Sequence, residues 1–178
     1  MFFKKLNEKL KIKAGRKFLQ QGLNSPLPVV ERDKGIRSVG CIVDLDKFDH
    51  ANLFYEFVEE FSLHPNSVKI IGYKEYYDKN SPYSTPVFSD RDLGWKAKIE
   101  NSYALEFLNR EYDLLVNYYT DDKLLLQLMS LKTKARLKVG FGTVDHNLND
   151  LIMNTSLGDF QTFKKELGKY LRILNEIK

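Results

Sequence analysis

Two aspartates separated by one residue, Asp44 and Asp46, end a continuous apolar run and are the strongest candidates for chemistry in this chain. The run over 38–43 is typical of a strand buried on both faces, so both carboxylates follow a predicted strand end. Carboxylates at this spacing can converge on Mg²⁺, a hard cation that takes oxygen ligands and supports phosphoryl chemistry. Asp121 follows a second predicted strand and is the third candidate ligand. The simpler alternative is that these aspartates cap the helices that follow the strands.

The segment around Asp44 resembles two families of Mg²⁺-dependent enzymes. Similarity to haloacid dehalogenase-like phosphatases implies Asp44 as nucleophile and Asp46 as acid/base, although Phe48 stands where that family has a threonine. The first metal-binding segment of diguanylate cyclases is similar through Asp44, Asp46, Phe48 and Asn52. This chain has no counterpart of the Gly-Gly-Asp/Glu-Glu-Phe turn that binds the nucleotide in those cyclases. Both resemblances imply an enzyme that handles a nucleotide or a phosphate.

A third resemblance covers more of the chain and concerns the fold. The segments 112–119, 124–131 and 135–141 are similar to a strand, a helix and a Gly-Phe-containing strand in the N-terminal half of lipopolysaccharide heptosyltransferases. The whole chain also resembles small uncharacterised bacterial proteins with a basic leader and the same two central strands. These resemblances imply a Rossmann-like domain and do not by themselves imply an activity.

The elements that must position these residues alternate along the chain. Predicted strands at 38–44, 68–73, 112–118 and 135–141 are separated by helical patterns, and an amphipathic helix follows Asp159. A short strand is predicted at 86–88 within a turn-rich loop. Such alternation predicts a single α/β domain over 37–178, with a three-layer, mostly parallel sheet of the Rossmann-like or flavodoxin-like type. The candidate aspartates would then share one edge of that sheet.

Charge divides the chain into two unequal parts. Residues 1–37 hold ten Lys or Arg against three acids, a net charge of +7, whereas the whole chain is only +4. The remainder is therefore slightly acidic, and the basic character belongs to the leader. Residues 1–21 predict a basic amphipathic helix with Phe2, Phe3, Leu6 and Leu10 in one sector, and the proline-containing stretch 22–36 predicts a linker.

The leader suggests a polyanionic partner. Its candidate contact residues are all cations of the predicted helix: Lys4, Lys5, Lys9, Lys11, Lys13, Arg16 and Lys17. Lysines and arginines of this kind displace counterions from the phosphates of RNA, and basicity on several sides of the helix favours RNA or a ribonucleoprotein. The phenylalanines favour an anionic membrane surface. A plain solvated charge run is the third alternative.

Composition narrows the class of protein further. The chain has 178 residues, suits one well-packed domain, and has one cysteine, Cys41, so it forms no intrachain disulfide. Neither a membrane-spanning stretch nor the apolar core of a signal peptide is present, and we expect a cytoplasmic protein. Because no complete catalytic set is found, we expect a binding or adaptor protein that docks on RNA or a ribonucleoprotein. A Mg²⁺-dependent enzyme and a peripheral membrane protein are the alternatives.

Overall fold

A computed structural model describes residues 1–26 and 30–178 of the chain. Part of the predicted linker, residues 27–29, lies outside the described residues. The helices are α1 (Phe2–Leu23), α2 (Phe57–Glu60), α3 (Ser102–Leu108), α4 (Leu124–Lys132) and α5 (Phe160–Ile173). The strands are β1 (Val39–Asp44), β2 (Val68–Tyr73), β3 (Val87–Phe88), β4 (Glu111–Tyr118), β5 (Lys134–Phe141) and β6 (Leu151–Met153).

The six strands form one sheet in the order β3-β2-β1-β4-β5-β6, and every pairing between them is parallel. The predicted α/β class with a Rossmann-like parallel sheet is therefore confirmed. The strand order is that of the Rossmann fold and differs from the flavodoxin order. It reverses between β1 and β4, so that the ends of these two strands flank the crevice where open α/β sheets bind ligands.

Helices cover both faces of the sheet and bury two separate apolar clusters. On one face, Val43 and Tyr118 pack with Phe54, Phe57 and other aromatic side chains of the segment after β1 and of α5. On the other face, the side chains of α3, α4 and the second half of α1 cover the sheet. β1 is buried at all six positions, as its uninterrupted apolar run predicts.

Three elements differ from the sequence-based expectation. The helical segment predicted between the first two strands is a short 3₁₀ helix, Ala51–Glu56, followed by the single turn of α2, and no side chain caps it. A sixth strand, β6, pairs with β5 and is not among the strands predicted from the sequence. α1 continues through Gly22, where a methyl group would collide with Leu131 of α4, so glycine permits close packing here.

The segment that leads into β1 is held by a buried carboxylate. Oδ2 of Asp113 accepts hydrogen bonds from the backbone N–H groups of Arg37 and Ser38, at 2.9 and 3.0 Å, and from the Ser38 hydroxyl. Arg32 Nε lies 3.2 Å from Oδ1 of the same side chain. Asp113 therefore fixes this segment at the amino end of β4, against the start of the sheet.

Candidate functional site

Helix α1 carries the residues that the sequence assigns to a polyanion, and its two halves have different surroundings. Its 22 residues correspond to roughly 33 Å of helix. Residues 1–10 are all exposed, whereas Gly15 and Leu19 are buried in the second half. The first half of the helix therefore lies outside the packed layers.

The second half of α1 is fixed by contacts with α4. Gly15 lies against side chains of Leu124 and Leu128, and Leu19 belongs to the apolar cluster beneath this helical layer. Lys132 places its ammonium nitrogen 4.2 Å from the centre of the Phe18 ring. The division of the chain into leader, linker and body stays a prediction, but these contacts make part of α1 a member of the packed structure.

The apolar side chains of the two halves lie on opposite sides of one helix. At 100° per residue, Phe2, Leu6, Leu10 and Phe3 span a sector of about 100°, centred about 170° from the midpoint of the buried Gly15 and Leu19. Phe2 and Phe3 are 75% and 78% exposed. The amphipathic pattern of the first half therefore serves no contact within the described part of the chain.

Three of the seven basic side chains lie in or next to this exposed sector. Lys13 and Lys17 continue it toward the second half, and Lys9 borders it, by the same angular spacing. Within residues 1–26 and 30–178, none of the seven predicted contact residues forms an ion pair with a carboxylate. Lys9, Lys13, Arg16 and Lys17 line one shallow concavity. The positive charge of α1 is thus available to a partner.

The three candidate metal ligands lie at the carboxyl edge of the sheet, as predicted. Asp44 is fully buried; its Oδ1 accepts a hydrogen bond from the Asp46 backbone N–H at 3.1 Å, and its Oδ2 lies 3.0 Å from Lys123 Nζ. Lys123, directly before α4, also lies over the Tyr73 ring at 4.6 Å. The lysine thus neutralises a carboxylate that burial would otherwise leave without a counter-charge.

The other two aspartates have partners of their own. Oδ2 of Asp46 accepts the Glu75 backbone N–H at 2.7 Å, and Asp121 pairs with Lys47 at 2.9 Å. The Asp121 carboxylate raises the pKa of Lys47, chiefly through their hydrogen bond. Among the described residues, no group of three or more acidic, histidine or cysteine side chains could hold a metal ion. The predicted magnesium site therefore has lysines beside two of its three carboxylates, and magnesium binding stays a prediction.

Two lysines of this crevice are not among the residues that the sequence singles out. Lys47 directly follows Asp46, and Lys123 lies two residues after Asp121. Acidic and basic residues that alternate after two neighbouring strands could have indicated these ion pairs. The loop after β4 and the loop after β5 are joined by the Thr143 hydroxyl, which donates to the Thr120 carbonyl at 3.0 Å. Between Gly40 and Gly72 the chain contains no glycine, so β1 is not followed by the glycine-rich turn of dinucleotide-binding proteins.

A protein family with this architecture can now be assigned. One family model matches residues 11–174, which include the second half of α1 and every strand of the sheet. The chain belongs to the DUF6913 family, a family of unknown function. Comparisons of this DUF6913 protein with curated proteins and with solved structures find no match. In its described part, no helix has the length and apolar character needed to cross a membrane.

Proposed function

We propose that this DUF6913 protein is a docking protein that binds an anionic lipid surface through α1. The observation that carries the proposal is the reversal of the apolar face along α1. One side of the second half packs on α4, and the opposite side of the first half is exposed. A helix used only for packing would keep its apolar residues on the buried side throughout.

The apolar part of the surface suits the boundary between headgroups and acyl chains. Phe2, Phe3, Leu6 and Leu10 are all exposed, and they form a narrow sector on a helix with low net hydrophobicity. Helices of this type lie in the interface plane and bury the apolar sector about 5–10 Å deep. This part of α1 provides apolar anchoring and needs no further element of the fold.

The charged part of the surface suits anionic headgroups. Apolar insertion of a few side chains is reversible, so stable attachment to a membrane takes a second signal, typically a basic patch. Lysines near an anionic surface contribute about 1 kcal/mol each. Lys9, Lys13 and Lys17 lie beside the apolar sector and are free of ion pairs within the described ranges. Both signals therefore occur on one side of α1.

RNA is the second candidate partner, and the concavity lined by Lys9, Lys13, Arg16 and Lys17 favours it. Cations on several sides of a helix can follow a phosphate backbone without any apolar contact. The two candidates differ in one requirement, since RNA binding would not need Phe2 and Phe3. This difference decides the design of the experiment.

Vesicle co-sedimentation with the full chain tests the proposal. Vesicles of phosphatidylcholine with phosphatidylglycerol should bind the protein, and pure phosphatidylcholine vesicles should bind it weakly. The double variant Lys13→Gln/Lys17→Gln should weaken binding about 30-fold at low salt, because about 2 kcal/mol of attraction is lost. Phe2→Ser/Phe3→Ser should weaken it by about tenfold or more through lost apolar burial.

Matched controls remove the same groups from another surface. Lys165→Gln/Lys178→Gln removes two exposed charges, and Tyr170→Ser/Ile173→Ser removes two exposed apolar side chains of α5. Both controls should bind vesicles like the wild type. A labelled single-stranded RNA is measured in parallel by fluorescence anisotropy. RNA binding that depends on Lys13 and Lys17 but not on the phenylalanines, without vesicle binding, would overturn the lipid proposal in favour of RNA.

A further inference from the structure

A cavity at the β3 edge of the sheet is separate from α1 and from the crevice between β1 and β4. It has a volume of about 560 Å³ and lies between the segment 77–86, which is part of the connection from β2 to β3, and the beginning of α3. A volume of this size is in the range that accommodates small organic ligands. The side chains of its wall indicate which kind of ligand.

The cavity wall includes a buried carboxylate. Asp92 is only 2% exposed, and its Oδ2 accepts hydrogen bonds from Ser89 N at 2.9 Å, Asn101 Nδ2 at 3.0 Å and the Tyr77 hydroxyl at 3.3 Å. Among residues 1–26 and 30–178, no cation pairs with this carboxylate and no hydrogen bond to its Oδ1 is present. The neighbouring Arg91 instead lies over the Tyr76 ring, at 5.3 Å.

Such a carboxylate is held in place but lacks a counter-charge. Three donors fix one oxygen, so the side chain is oriented before any ligand arrives. Buried charges in proteins are normally paired or coordinate an ion, because burial without compensation is costly. A cationic group in the adjacent cavity would supply the missing partner of Asp92.

Tyrosines form further parts of the same wall. The rings of Tyr77 and Tyr83 lie at 82° to each other with centroids 6.2 Å apart, and Tyr103 at the start of α3 is 57% exposed. The faces of aromatic rings carry negative potential and attract ammonium groups, especially where several rings surround the cation. Burial, followed by the nearby Asp92 carboxylate, raises the pKa of Tyr77, so its hydroxyl stays a donor to that carboxylate.

The charges around the cavity favour a cation as well. Its lining includes three acidic residues, Asp78, Asp92 and Glu100, and one basic residue, Lys79. Negative potential of this kind repels phosphates and carboxylates and attracts cations. We propose that this cavity is a binding site for a small organic ammonium ion, whose charged group lies against Asp92 and the tyrosine rings.

The experiment uses the full chain and titrates it with tetramethylammonium chloride and with n-butylammonium chloride at constant ionic strength. Backbone amide NMR shifts of residues 77–103 report binding. tert-Butanol and n-butanol serve as neutral probes of similar shape, and methyl α-D-glucoside tests a sugar. Saturable shifts with an ammonium probe, at least about tenfold tighter than with its alcohol, are the expected result.

Variants locate the site. Tyr83→Leu and Tyr103→Leu should each weaken ammonium binding about tenfold, since each removes an aromatic wall. Tyr170→Leu, a tyrosine of α5 remote from the cavity lining, is the matched control and should leave binding unchanged. Asp92→Asn should abolish binding, and its amide spectrum shows whether it folds; if it does not fold, the Tyr103→Leu result decides. Equal binding of the alcohols, preferential binding of the glucoside, or no saturable shift with either ammonium probe overturns the proposal.

Discussion

Lys123 and Asp44 connect α4 to β1 through an ion pair of 3.0 Å at the point where the strand order reverses. The carboxylate is fully buried and the lysine side chain is largely buried, so solvent screens the pair weakly. The lysine also lies over Tyr73 at the end of β2. One side chain thus joins three elements in the crevice where Rossmann-like sheets bind their ligands.

Removal of this lysine should destabilise the fold more than loss of both charges. Lys123→Met leaves Asp44 buried without a counter-charge, and we expect the free energy of unfolding to fall by about 3 kcal/mol. The double variant Asp44→Asn/Lys123→Met should recover much of that loss, because no uncompensated charge is left. Urea denaturation measures both variants. Equal destabilisation by the single and double variants would contradict the assigned role of the pair.

Lys138 should make stability depend on pH in the alkaline range. Its ammonium is buried and donates to the Ser130 carbonyl at 2.7 Å; burial lowers its pKa from 10.5 to about 8, with Asp150 opposing the shift. Between these two values the unfolded chain binds more protons than the folded one, so stability should rise as pH increases. The expected slope approaches about 1 kcal/mol per pH unit from pH 8 upward.

Ionisation of tyrosines limits the pH range over which stability should rise. Burial raises the pKa of Tyr112, Tyr118 and Tyr119, so ionisation of tyrosines in the unfolded chain should reduce stability above about pH 10. Urea denaturation of the wild type from pH 7 to 10 measures the rise. In Lys138→Met the rise should disappear and stability at neutral pH should increase, since no ammonium is buried. Burial also raises the pKa of the Cys41 thiol, so ionisation of this thiol in the unfolded chain should oppose the rise from about pH 9. A stability difference between the wild type and Lys138→Met that stays constant from pH 7 to 9 would show that Lys138 titrates normally.

Substitution of two leucines of α1 should distinguish a residue needed for stability from a residue needed for vesicle binding. Leu19 is buried against the α4 layer, and Leu19→Ala should lower the free energy of unfolding by about 2–3 kcal/mol. Leu10 is 44% exposed, and Leu10→Ala should change stability by less than about 0.5 kcal/mol while it weakens vesicle binding. Thermal denaturation and co-sedimentation are measured on both variants. Equal loss of stability in both would mean that the first half of α1 also packs on the domain.

Asp113 should be essential for the position of the segment before β1. Asp113→Asn replaces an acceptor of three hydrogen bonds by an amide that cannot accept them all, and it removes the charge facing Arg32. The expected loss is about 2–4 kcal/mol. Asp122→Asn, at an exposed position, is the control and should be neutral. Hydrogen exchange at Arg37 and Ser38 should accelerate in Asp113→Asn alone, and unchanged protection there would contradict this role.

Much of the fold could be predicted because its signals are local. β1 is apolar at every position except its final aspartate, and α5 repeats its apolar residues at helical spacing, so each pattern identifies its element. β6 has three residues and depends on pairing with β5, which no local pattern reveals. The role of Gly22 is similar, since only the position of Leu131 shows why a side chain does not fit there.

The candidate sites were predictable to different degrees. The exposed lysines of α1 could be named from charge alone, because charge density is a property of the sequence. The partners of Asp44 and Asp121 could not, because Lys123 and Lys47 reach them across the gap between two strands that are far apart in the chain. The cavity around Asp92 depends on Asn101, which caps α3, and on the path of a long loop.

The unbroken run of α1 from Phe2 to Leu23 has a mechanical consequence. A flexible linker between the exposed segment and the domain would leave the domain free to rotate relative to the surface it binds. A continuous helix packed on the domain at Leu19 instead fixes the orientation of the domain relative to that surface. A membrane that buries the exposed sector at Phe2, Phe3, Leu6 and Leu10 would therefore fix the orientation of the whole sheet, and the same side of the domain would always face the bilayer.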